Sequence, residues 1–273
     1  MENSRFTIKN KFSISLNSLG YFLLSYLFVY LLHQFVTCLT ANIFNIPTIL
    51  SYNEVSFLAD KSRWTYASVQ TIFLSGPIAT LFCGIFFLII AYRFHDFDGL
   101  LRLFFLWGAL HSFNLFFGAL IIGAFTGQGM GFALNWMYLM DSAKLVIVIL
   151  AILCMMVIGA MHSRMFLFTA NSYFAELRKD RKSEFLRLQL FYPFIFGSLL
   201  LYFIKIPVTM TDLLLPITLL FLIVPIFSRQ QHFPSLTFNE ETPHSIKSDP
   251  LVIIITIFVV IVFRIIFAKG ISF

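Results

Sequence analysis

The chain has 273 residues and a formal net charge of +6, with 59% hydrophobic and only 12% charged residues. A soluble domain carries roughly a quarter charged residues because its surface must be wetted; this chain cannot cover such a surface, and a mean hydropathy of +0.88 places most of it in lipid. Disordered, disulfide-scaffolded and nucleic-acid-binding classes are excluded with the soluble ones, which leaves an all-α, polytopic membrane helix bundle forming one domain, 1–273.

About 20 mostly apolar residues are needed for a helix to cross a bilayer. Seven such stretches are predicted, at about 19–44, 71–92, 100–126, 144–161, 190–206, 212–227 and 251–267. The first follows a basic start, as a signal peptide would, but it outruns a typical apolar region of 7–15 residues and no Ala-x-Ala site follows. It is read as a retained span. Its polar residues His33, Gln34, Thr37 and Thr40 stand out, and His33, Thr37 and Thr40 share one helix face.

The second stretch carries small residues every four positions, Ser75, Ala79 and Cys83 beside Gly76, Thr80 and Gly84. Gly123, Gly127 and Gly131 repeat the pattern from the end of the third onward. Such stripes let backbones approach closely and predict tight packing of spans two and three, on each other or on a neighbouring subunit. The third stretch also holds His111 and Asn114, three apart, with Trp107 one turn earlier.

Between spans four and five lies a basic loop, 162–189, predicted cytoplasmic, in which Phe174, Leu177, Phe185 and Leu188 would share one side of a helix starting at Asn171. Spans five and six are the shortest and meet at a Lys205–Thr211 hinge; a re-entrant hairpin there would leave five full crossings. Cys38, Cys83 and Cys154 are far apart and lie in apolar runs, so they are read as small buried hydrophobes.

Lys and Arg collect on the cytoplasmic side. With the N-terminus inside, Arg5, Lys9, Lys11, Arg93, Arg102, Arg164, Arg178, Lys179, Arg181, Lys182, Arg187, Arg229 and Lys247 are cytoplasmic, thirteen of the nineteen. Lys61, Arg63, Lys144, Lys205, Arg264 and Lys269 fall outside. The seven-span topology is therefore N-terminus in and C-terminus out, in a cell membrane, with a bacterial inner membrane the expectation.

Polar groups in hydrocarbon are costly and mark function. His33, Gln34, Thr37, His111 and Asn114 form the predicted intramembrane cluster, which puts the functional centre in the N-terminal half. The simplest chemistry is a hydrogen-bonded network joining His33 and His111 as interhelical glue. A zinc site from His33, His111 and Asp141 is the sharper alternative, since two imidazoles and a carboxylate suit catalytic zinc. The third use is a proton or substrate pathway.

His33-Gln-Phe-Val-Thr37, then Ser75-Gly-Pro-Ile-Ala79, then Asn135 and Asp141 resemble the layout of site-2-type intramembrane zinc metalloproteases over Leu31 to Lys144. That family carries His-Glu-x-x-His, in which the Glu is the base and both histidines bind zinc. Gln34 stands where the Glu would be and Thr37 where the second His would be, so the resemblance implies an inactive relative with His33 as its one retained ligand. The leading expectation is a non-catalytic subunit or scaffold of a larger membrane assembly, without cofactor or nucleic acid, whose partners are the lipid bilayer and other membrane subunits. A small transporter using the His33/His111 cluster comes next, and a metalloprotease-like enzyme third.

Overall fold

The computed structural model describes residues 7–93, 99–238 and 246–273. Arg5, one of the predicted cytoplasmic cations, lies outside the described residues. Among the described residues, seven helical stretches are long and apolar enough to cross a membrane. The molecule is an all-α bundle of a multi-pass membrane protein.

α1 (Ile8–Ile43) runs the length of the bundle and is capped by the Thr7 side chain. At the far end a short hairpin, β1 (Thr48–Leu50) and β2 (Val55–Phe57), leads into α2 (Tyr66–Arg93). α3 (Gly99–Phe113) passes through a π turn at Asn114–Gly118 into α4 (Ala119–Thr126), which ends on Gly127 at φ +70°. A left-handed residue there is the usual helix stop, and glycine adopts it without a Cβ clash. α5 (Met130–Trp136) folds back on α4, and α6 (Asp141–Phe168) returns to the N-terminal end.

The stretch after α6 differs from the expected amphipathic helix. It is a broken path through β3 (Glu176–Leu177) and the short α7 (Lys182–Leu186). Phe174, Leu177 and Phe185 are buried in the main core rather than laid on a membrane surface. The tertiary core competed for these side chains and the helix was broken to deliver them. Lys182 is held there too, donating to the Phe233 carbonyl at 2.8 Å and to that of Pro234.

α8 (Tyr192–Ile204) continues from α7 through a π turn, and α9 (Met210–Arg229) follows, capped by Thr209. Lys179–Ile204 and Met210–His232 are each long and apolar enough to cross a membrane, the length that two full crossings require. After β4 (Leu236–Thr237), which pairs with β3, α10 (Pro250–Ala268) starts on an Asp249 cap with Pro250 in its first turn. β5 (Ile271–Ser272) then joins β1 at the far end, giving the order β2-β1-β5.

α1 is the axis of the bundle, packed by α2, α3, α8 and α10, while α6 packs along α9. Its buried polar residues act as ties at the N-terminal end. Ser18 Oγ accepts from Trp107 Nε1 at 2.9 Å and donates to the Gln189 carbonyl at 2.5 Å, joining α1 to α3 and to the π turn before α8. Asn17 bonds the Tyr173 hydroxyl, the Lys247 carbonyl and the Asp249 amide, fastening the start of α10. Facing outward are apolar rows such as Phe82, Phe86 and Ile89 of α2 and Leu150, Leu153 and Val157 of α6. In lipid these rows incur no penalty. Cys154 is exposed among them and Cys83 is half-buried, so only Cys38 is the buried thiol expected.

The small-residue stripes divide their contacts. A Cβ on Gly76 would meet Thr37 Oγ1 at 2.5 Å and the His33 carbonyl at 2.8 Å, so this part of α2 abuts α1. One on Gly84 would meet Ser112 and Phe113 of α3. Gly123 and Gly131 touch each other's backbone and bring α5 against α4, instead of bridging spans two and three. Ser75 bonds its own helix at the Ile72 carbonyl and Ala79 is half-buried.

Candidate functional site

A cavity of about 860 Å³ occupies the far half of the bundle. α1 supplies Tyr30, His33, Gln34 and Thr37 to its lining, four residues of one stripe on that helix. α9 adds Asp212 and Leu215, and the π turn and α4 add Leu115 and Ala119. Toward the far end the lining becomes Asn53, Glu54, Lys61, Gln128 and Thr209. One wall is aromatic. Phe57 and Trp64 meet at 5.4 Å between centroids, Trp64 stacks on Phe73 at 5.7 Å, and Phe73 reaches Phe132 at 5.0 Å.

Deeper in the bundle is a second, small space of about 30 Å³, lined by Phe22, Tyr26, His111, Asn114, Lys205 and Asp212 among others. Asp212 and Leu215 line both. Between the two spaces Lys205 and Asp212 form a buried ion pair, with side chains 2% and 8% exposed. The Lys205 ammonium also donates to the Tyr26 hydroxyl at 3.3 Å and stands 3.7 Å from the centre of the Tyr30 ring. Asp212 accepts in addition from Thr209 Oγ1 at 2.9 Å. Charges in a low-dielectric interior persist only when paired and hydrogen-bonded, and both are.

The predicted cluster is thus split. His33, Gln34 and Thr37 face the large cavity; His111 and Asn114 face the small one. No hydrogen bond joins the two histidines. His33 Nδ1 lies 3.3 Å from Gln34 Oε1, while His111 sits among the rings of Phe22, Tyr26 and Trp107, its Nε2 without a partner. Asn114 ties the π turn to α9, donating to the Leu215 carbonyl at 2.9 Å and accepting from Thr218 Oγ1 at 2.8 Å. Replacing His111 by Leu should change stability by no more than about 1 kcal/mol, the usual scale for an intramembrane hydrogen bond. Thermal unfolding in detergent checks this, and a larger loss would show that the imidazole is engaged.

The zinc set does not assemble. Asp141 is 99% exposed at the start of α6 and pairs with Lys144, which also bonds Asn135. Among the described residues no group of three His, Cys, Asp or Glu is placed to hold a metal ion.

Sequence reasoning missed Lys205 and Asp212, which belong to the C-terminal half thought to be poor in polar groups. The signal was present: opposite charges face each other across a short turn between two apolar runs. His162 was missed as well. It is fully buried in α6, with Nδ1 2.7 Å from the Ile158 carbonyl and Nε2 unpartnered. Comparisons with protein families, with characterised proteins and with solved structures gave no match.

Proposed function

We propose that this is a non-catalytic multi-pass protein of a bacterial inner membrane that takes a small ligand into its far-end cavity, as a transporter or as the ligand-binding subunit of a larger membrane assembly. The cavity carries this reading. Ligand sites are mostly apolar, aromatic-walled hollows of about 300–1,000 Å³ with a few convergent polar groups, and this one combines such a wall with His33, Gln34 and Asp212. Interhelical glue alone would leave no such volume at its centre.

The charge bias supports a cavity that opens outward. Two far-end cations are engaged by the neighbouring helix ends and loops. Lys205 pairs with Asp212, and Arg264 donates to the Ile204 carbonyl at 2.8 Å while lying over the Tyr52 ring at 3.6 Å.

Single cysteines in a variant lacking Cys38, Cys83 and Cys154 test both parts. In intact cells a membrane-impermeant maleimide should label Gln128→Cys at the mouth and Ala119→Cys within the cavity. Labelling of both only after permeabilisation would reverse the topology. Labelling at Gln128→Cys with Ala119→Cys inert would remove the open cavity, and the function with it.

A further inference from the structure

The lining of the large cavity is selective in its chemistry. Lys205 shows what kind of group this part of the molecule accommodates: its ammonium is held by a carboxylate, a phenol and the face of the Tyr30 ring. Aromatic faces attract cations through the ring quadrupole, more strongly where water is excluded. The same elements face the cavity. Asp212 lines it, as does Tyr30, and the Phe57–Trp64–Phe73–Phe132 wall stands in the same space. Lys205, by contrast, lines only the small space behind. A ligand entering from the far end therefore meets the carboxylate of the pair and not its ammonium.

Two further observations point to an occupant. The Tyr30 hydroxyl is buried, with the residue 3% exposed, and Gln34 is the polar side chain beside it, outside ideal hydrogen-bond geometry. A buried phenol with so weak a partner is costly, and both residues belong to the cavity lining. At the mouth, the Glu54 carboxylate forms no ion pair within 4.0 Å among the described residues, although Lys61 lines the same cavity. A carboxylate at the mouth and another at depth, with aromatic rings between, form an entry path for positive charge.

We infer that the cavity binds a hydrophobic organic cation, its charge drawn to the open side of Asp212 and the Tyr30 ring, and its apolar body against the aromatic wall. The inference rests on the ligand-binding reading above and names the ligand class. Recognition is electrostatic: the charged side chains of the lining are two carboxylates, Asp212 and Glu54, and one ammonium, Lys61, so an anion of the same shape binds more weakly, and it reaches Lys205 only by displacing Asp212.

A matched pair of ions tests this. Full-length protein in nanodiscs of neutral lipid is titrated with tetraphenylphosphonium and with tetraphenylborate, which share a shape and differ in the sign of the charge. The readout is emission from Trp64 and Trp136, both in the lining, isolated by difference against the Trp64→Phe and Trp136→Phe variants. Saturable quenching by the cation is expected, at least tenfold tighter than by the borate. Glu54→Gln should weaken it a few-fold. The paired replacement Lys205→Met with Asp212→Leu removes both buried charges together and should erase the preference for the cation while the cavity remains. Equal or tighter binding of the borate would overturn the cation assignment and leave the ligand cavity standing. Cation binding unchanged in both the Glu54→Gln and the paired variant would overturn it too, since the charge would then play no part. Absence of saturable binding by either ion overturns the inference; whether the cavity reading falls with it is decided separately by labelling at Ala119→Cys.

Discussion

Asp212→Leu alone should destabilise the protein by about 3–5 kcal/mol, the usual cost of leaving a buried charge without its partner. Lys205 is 1% exposed, so losing Asp212 leaves its ammonium only the Tyr26 hydroxyl and the Tyr30 ring among protein groups. Lys205→Met alone should cost less, since the Asp212 carboxylate keeps the Thr209 hydroxyl and borders the large cavity. The paired replacement should recover most of the loss, because apolar side chains of similar volume often substitute for an ion pair without cost. Thermal unfolding in a mild detergent, followed by the emission of buried Trp107, gives the three values. Additive losses in the paired variant would mean that the two charges do not depend on one another.

The next largest effect is expected at Gly159. A Cβ there would run into the backbone of Leu222, its carbonyl oxygen first and its Cα at 3.0 Å, so α6 and α9 touch main chain to main chain. Backbone cannot rotate away as a side chain can. Gly159→Ala should therefore cost about 1–3 kcal/mol through overpacking, against the gain of about 1 kcal/mol that alanine normally brings to a helix interior. Gly20→Ala makes the control. Its new methyl meets Val252 Cγ1 at 2.8 Å, a side-chain atom that can move, and the loss should be smaller. Equal losses would show that the α6–α9 contact yields as easily as a rotamer.

The candidate site was half legible. His33, Gln34 and Thr37 were found because polar residues at helical spacing in an apolar run can share one face, and that face does line the cavity. His111 and Asn114 were found by the same logic and then assigned to the wrong space. Spacing within a helix fixes which residues are neighbours on it, but not which way the helix is turned against its partners. The zinc alternative fails separately: Asp141 begins its helix in the open, and no set of three ligands assembles among the described residues.

What the amino-acid sequence determined by itself is the class and the spans. Hydrocarbon admits few charges and requires every backbone group to be bonded within its own segment, so a run of apolar residues of sufficient length has one outcome wherever it is placed. That logic is local, and it held for all seven helices. Everything that depends on long-range contact was decided by the tertiary structure. The loop after α6 abandoned its helical pattern because the core took Phe174, Leu177 and Phe185. Gly131 met Gly123 rather than another span, because α5 folds back on α4. Lys205 and Asp212 sit at facing ends of two helices, where each could have turned to water; the approach of α1, with Tyr26 and Tyr30, enclosed them as a pair between two cavities. Burial of a charge is a property of the neighbours that surround it, and those neighbours come from nearly 180 residues away in the chain.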